Sequence, residues 1–114
     1  MATLERTELG DVTVVKLRGS LTMEGLEQIE PMFQQLTKRP GCHTLIDLTE
    51  VEMVTTPALS MFLAAANSAK QTGGRLIFTE STPPVRDILK RLRLHSVLHT
   101  VAGYETALAE ARKK

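Results

Sequence analysis

Aromatic residues are scarce in this chain: no tryptophan, one tyrosine and three phenylalanines among 114 residues. The basic strip Arg86, Lys90, Arg91 and Arg93 therefore has no ring beside it on which a base could stack, and it reads as solvated charge rather than a nucleic-acid surface. The single cysteine, Cys42, excludes an intrachain disulfide framework and any cysteine-rich metal site. Its place beside an apolar strand suggests a buried, reduced thiol. Neither sign of charge dominates, with 14 Lys and Arg against 13 Asp and Glu, so no overall field draws the chain to nucleic acid or acidic lipid. No apolar run approaches the length of a membrane span, and no signal-peptide pattern follows Met1. A cytoplasmic protein with no direct membrane insertion is expected.

What remains is a regular alternation of short apolar strands and amphipathic helices over residues 1–114, the length of one domain. Leu4–Leu9 and Val12–Arg18 flank Gly10-Asp11 and read as a hairpin. Thr22 is placed to cap a helix whose apolar face is Leu26, Ile29, Phe33 and Leu36. Pro31 interrupts that helix away from its apolar face, and Arg39-Pro40-Gly41 ends it. His43–Leu48 reads as a buried central strand, and Thr49–Thr55 as a short crossing loop.

A second helix follows, with Leu59, Phe62, Leu63, Ala66 and Ala69 on one stripe and Gln71-Thr72-Gly73-Gly74 as its stop. Arg75–Thr79 is the next strand. Thr82-Pro83 opens a helix lined by Val85, Ile88, Leu89 and Leu92. Val97–Val101 and Tyr104–Arg112 supply a last strand and a closing helix. The pattern predicts an α/β fold: a mixed, mostly parallel sheet of four to five strands, an N-terminal hairpin, and helices mainly on one side.

The polar residues give little sign of catalysis. His43, His95 and His99 are scattered without metal-ligand spacing, and His99 is expected half-buried in the last strand. Asp47 has no serine–histidine or cysteine–histidine set beside it, so a loop-fixing role is expected. Gly73-Gly74 lacks the rest of a phosphate-binding loop. No cofactor is implied.

The richest segment is Asp47-Leu48-Thr49-Glu50-Val51-Glu52-Met53-Val54-Thr55-Thr56-Pro57-Ala58-Leu59. Thr56 is a suitable N-cap and Pro57 a suitable first helical residue. That pairing is satisfied by a plain helix start. It also presents a hydroxyl where backbone amides and the helix dipole favour negative charge.

This segment resembles the STAS domain family, whose pattern is D-L-S-G-V-x-x-I-D-S-x-G-L. Asp47-Leu48-Thr49, Val51, Val54 and Leu59 match it. Gly19-Ser20-Leu21-Thr22, Gly73-Gly74-Arg75-Leu76 and Ala102-Gly103-Tyr104-Glu105-Thr106-Ala107-Leu108 are similar to three further family segments in the same order. Thr56 stands at the family's phosphorylated serine, and Thr55 is a less favoured acceptor beside it. Two acidic positions are Thr22 and Thr55 here, and Ala58 replaces a glycine. Losing the acids makes a phosphate easier to hold, and it also removes groups that could orient the hydroxyl for a kinase.

The resemblance implies a non-enzymatic interaction module like an anti-sigma-factor antagonist. Its partner would be a GHKL-type anti-sigma serine kinase in a partner-switching pathway. The implied binding face is Thr22, Met23, Met53, Thr55, Thr56, Pro57, Ala58 and Met61. The methionines serve equally as adaptable contacts or as core filling. The family also includes structural subunits: components of lipid-transporting ABC complexes, which bind an ATPase subunit, and scaffolds of stress-sensing assemblies, which bind other STAS proteins. That alternative stays open on sequence.

Overall fold

The computed structural model describes residues 2–79, 82–94 and 97–112. Its elements are β1 (Ala2–Leu9), β2 (Val12–Leu21), α1 (Met23–Thr37), β3 (His43–Val54), α2 (Thr56–Gln71), β4 (Arg75–Thr79), α3 (Pro83–Arg91), β5 (Thr100–Val101) and α4 (Tyr104–Arg112). The sheet has five strands in sequence order. β1 is antiparallel to β2, and β2 through β5 run parallel. Gly10 takes a positive φ of 63° at the hairpin turn, a conformation that costs glycine little.

Helices α1, α2 and α3 bury their apolar stripes on one sheet face, against Val15, Leu17, Ile46, Leu48 and Phe78 among others. The three phenylalanines meet there: Phe62 of α2 lies 5.9 Å from Phe33 of α1 and 5.2 Å from Phe78 of β4, centroid to centroid, both tilted. Such geometry suits the ring quadrupoles. Among the described residues the other face carries α4 alone, which covers Val12, Val14, Leu45 and Ile77 with Ala107, Leu108 and Ala111. The expected placement of helices mainly on one side therefore holds.

α2 ends where the glycine pair demands. The Gly74 amide donates to the Ala69 carbonyl at 2.8 Å while Gly73 sits at φ 77°, closing the left-handed cap. Pro31 is exposed within α1, off its buried face.

Three expectations need correction. The segment Thr49–Val54 is strand, not loop: β3 runs to Val54 alongside β2. It slips register twice, between Lys16↔Asp47 and Arg18↔Glu50 and between Gly19↔Val51 and Ser20↔Met53. Each slip inserts one extra β3 residue, as a β-bulge does. The last strand is only Thr100–Val101; residues 97–99 form a turn and His99 is exposed. Leu92 is exposed beyond the end of α3 rather than part of its buried face. His95 lies outside the described residues.

Candidate functional site at the ends of β2 and β3

The last register pair of β2 and β3 is Leu21↔Val54, so Thr22 and Thr55 emerge side by side at adjacent strand ends. Each leads directly into a helix. Thr22 is extended, with φ −80° and ψ 176°, and its Oγ1 accepts from the Gly25 amide at 3.2 Å. That is the predicted cap of α1. Thr55 has a similar backbone, φ −117° and ψ 169°, and its carbonyl accepts the first bond of α2, from the Leu59 amide at 3.1 Å.

The N-cap of α2 is thus Thr55 and not Thr56, which becomes the first helical residue. The Thr55 side chain does not cap either. Its Oγ1 donates to the Leu21 carbonyl at 2.8 Å. Thr82 repeats the arrangement at the start of α3, with its Oγ1 donating to the Val51 carbonyl at 2.7 Å. In both cases the hydroxyl satisfies a strand-end carbonyl in preference to a helix amide.

Thr56 and Pro57 are exposed at the rim. Met23 is 68% exposed and Met53 42% exposed on the same edge of the sheet. Ala58 and Met61 differ from the implied binding face: at 0% and 6% exposure they lie in the core beneath it. The stripe of α2 explains this, because Ala58, Leu59, Met61, Phe62 and Ala65 turn inward together.

Charge is distributed unevenly around this rim. α2 and α3 have no acidic residue in their first turns, and α1 has Glu24. The opposite sheet face carries a ladder of ion pairs instead: Glu5 with Arg18 at 3.0 Å, Arg18 with Glu50 at 3.3 Å, and Lys16 with Glu50. Hydrogen bonds from Lys16 and then Arg18 hold the Glu50 carboxyl below the usual carboxylate range.

Asp47 has the fixing role the sequence suggested. It is buried, and its Oδ1 accepts from the Thr49 amide at 3.0 Å and the Thr49 hydroxyl at 2.6 Å. Thr79 reinforces the same bulge by accepting from the Leu48 amide at 3.1 Å. Cys42 is half-buried, with Thr44 Oγ1 3.4 Å from its sulfur. His43 lies at the start of β3 with Nδ1 2.8 Å from the Ala111 carbonyl, far along the chain from His99. Among the described residues no group of three or more His, Cys, Asp or Glu could hold a metal ion.

Sequence reasoning missed Thr82 as a partner of β3 and Gly25 as a contact. A Cβ built on Gly25 would lie 2.5 Å from the Ser20 carbonyl oxygen, so glycine is what lets α1 start so close to β2. A glycine three residues after a cap was the available signal.

The strand order and helix placement meet the fold expected from the sequence. Residues 4–100 match the family described as Mlab, STAS domain, and the chain belongs to that STAS family. It is similar in structure to an anti-sigma factor antagonist from Mycobacterium paratuberculosis, at 18% identity and TM-score 0.88, over 99% of this chain and 96% of that one. An anti-sigma-factor antagonist (STAS) domain protein from Planctomyces limnophilus is 19% identical with TM-score 0.85, over 96% and 98% of the two chains. The Bacillus cell fate determinant SpoIIAA in its phosphorylated form is 15% identical with TM-score 0.71, over 96% and 100%. At these identities the likeness is one of fold. No curated protein sequence matches the chain.

Proposed function

We propose that this protein is a non-enzymatic, single-domain interaction module of the cytoplasm that binds a protein partner at the rim formed by Thr22, Met23, Met53, Thr55, Thr56 and Pro57. The observation that carries the reading is the combination at that rim: exposed methionines beside an exposed threonine at the first position of α2, with no acid in that first turn.

By its resemblance to anti-sigma-factor antagonists, the partner is a GHKL-type anti-sigma serine kinase and Thr56 is the phosphate acceptor. Thr56 suits that role better than Thr55, whose hydroxyl is half-buried and committed to Leu21. A phosphate at the first helical position would face the positive end of the α2 dipole while adding charge to a partner surface.

A second reading is favoured by Thr22 and Thr55, which stand at the acidic positions of the family pattern and whose hydroxyls are both used internally. A rim built that way serves as a phosphate-independent contact. The partner is then an ATPase subunit of a lipid-transporting ABC complex or another STAS protein. Affinity recovery from the source cell, with identification of the bound chains, separates the readings. A kinase that modifies Thr56 with ATP supports the first. An ABC ATPase or a STAS assembly that leaves Thr56 unmodified supports the second. Recovery of no stoichiometric protein partner overturns both.

A further inference from the structure

At the pole opposite the helix starts, the β1–β2 hairpin, the α1–β3 loop and the end of α4 enclose a polar cleft of about 430 Å³. Its two sides carry opposite charge. Glu8 and Asp11 line it from the hairpin, and Arg39, His43 and Arg112 line it from the loop, β3 and α4. Arg39 is held in place. Its Nε donates to the Leu36 carbonyl at 3.0 Å and its Nη2 to Thr13 Oγ1 at 2.8 Å. Thr13 is buried and its hydroxyl donates a hydrogen bond to the Glu8 carboxylate, at 3.0 and 3.2 Å from the two oxygens, while Arg6 pairs with the same carboxylate at 2.9 Å.

The relay fixes a guanidinium and a carboxylate relative to one another before any ligand arrives, which lowers the ordering cost of binding. His43 is similarly oriented. Its Nδ1 faces the Ala111 carbonyl, which can only accept, so Nδ1 carries the proton and Nε2 of the neutral ring is an acceptor. Among the described residues no ion pair engages Asp11 or Arg112.

We propose that this cleft binds a small zwitterion, an amino acid or dipeptide, with its carboxylate on Arg39 and Arg112 and its ammonium on Asp11 and Glu8. The balance of the lining decides the class. A simple anion would be drawn to the guanidiniums and repelled by Asp11, and more weakly by the Arg6-paired Glu8, and a simple cation the reverse. A molecule with both charges satisfies both sides, and it also supplies N–H donors for His43 Nε2. The volume lies at the small end of the range for ligand pockets, roughly 300–1,000 Å³, which suits such a ligand. The site is independent of the rim at Thr56, at the other ends of β2 and β3.

Amide-resolved NMR titration of the intact protein tests it, with L-glutamine and glycylglycine as probes and acetate and ethylammonium as single-charge controls at matched ionic strength. Saturating shifts at the amides of Asp11, Gly41 and His43 are expected with at least one zwitterion and neither control, while Thr56 stays still. Arg112→Gln and Asp11→Asn, both at exposed positions, should each weaken that binding by roughly tenfold, as loss of one charged hydrogen bond predicts. Shifts that rise linearly without saturating overturn the proposal. So does saturation by acetate alone, which would mark a plain anion site, or wild-type binding by both variants.

Discussion

The hydroxyl of Thr55 donates to the carbonyl of Leu21 across 34 positions of sequence, tying the start of α2 to the end of β2. The bond forms at the point where the sheet stops and two helices begin. It therefore sets how the two halves of the rim, Thr22-Met23 and Thr56-Pro57, stand relative to each other.

Replacing Thr55 by valine keeps the shape and removes the bond. The expected cost is about 0.5–1.5 kcal/mol in urea unfolding, while Thr55→Ser retains most of the stability. Thr56→Ala, by contrast, should stay within about 0.5 kcal/mol, because an exposed first-turn side chain is not the cap. A larger loss at Thr56 than at Thr55 would restore the capping role that the sequence suggested.

Gly25→Ala sets two effects against each other. Alanine gains about 1 kcal/mol of helix propensity over glycine. The new Cβ would sit 2.5 Å from the Ser20 carbonyl oxygen and 3.0 Å from the Ala2 Cβ, so backbone must move. A net destabilisation is expected from thermal melting, and a stabilised variant would show that α1 can shift without penalty.

Phe62 is fully buried between Phe33 and Phe78. Phe62→Ala should cost about 3–5 kcal/mol through lost burial and an unfilled cavity, and Phe62→Leu markedly less. Denaturant midpoints for the pair are the measurement. A cost below about 1 kcal/mol for alanine would be incompatible with this packing.

Why some of this was legible and some not follows from periodicity. The starts of Arg75–Thr79 and Tyr104–Arg112 were found where observed because glycine precedes each, Gly73-Gly74 and Gly103. The continuation of β3 was missed because its inward residues Ile46, Leu48, Val51 and Val54 are spaced two, three and three apart. Bulges break the alternation by which a strand is recognised. The displaced cap at Thr55 has the same origin. Two adjacent threonines satisfy the local capping rule equally, and only the nearby Leu21 carbonyl, invisible in sequence, distinguishes them. Met61 stood on the implied binding face with core filling as an equal alternative, and the phase of α2 makes it core.

The Glu8 carboxyl is held below the usual carboxylate range, chiefly by the Thr13 hydroxyl, with desolvation opposing and Arg6 adding to the effect. A carboxyl whose pKa is lower in the folded state contributes stability above its unfolded pKa, near 4.3 for glutamate. That contribution is lost as pH falls through the folded value. Carboxyl-detected NMR titration should show Glu8 deprotonating at lower pH than an ordinary glutamate, and Thr13→Val should move it upward. Because Glu8 is exposed, salt should shrink the shift. An unchanged Glu8 titration in Thr13→Val would remove the hydroxyl as the cause.

Thr56→Glu should separate folding from recognition. The first turn of α2 has no acidic residue, so a carboxylate there meets the positive end of the dipole and should stabilise the fold by about 0.3–1 kcal/mol. Partner binding should nevertheless weaken, since the same charge would be desolvated in a contact lined by Met23 and Met53. Lys70→Glu serves as the control. It changes charge by twice as much near the other end of the helix, about 21 Å away at 1.5 Å per residue. The sequence also offers Lys113→Glu as a control, but Lys113 lies outside the described residues. Calorimetric titration against the recovered partner should give weaker binding for Thr56→Glu and an unchanged affinity for Lys70→Glu. Equal affinities for wild type and Thr56→Glu would place the interface away from the start of α2. A Thr56→Glu variant that melts lower than wild type would mean that this first turn does not present its dipole to an added charge, and the phosphate reading would fall with it.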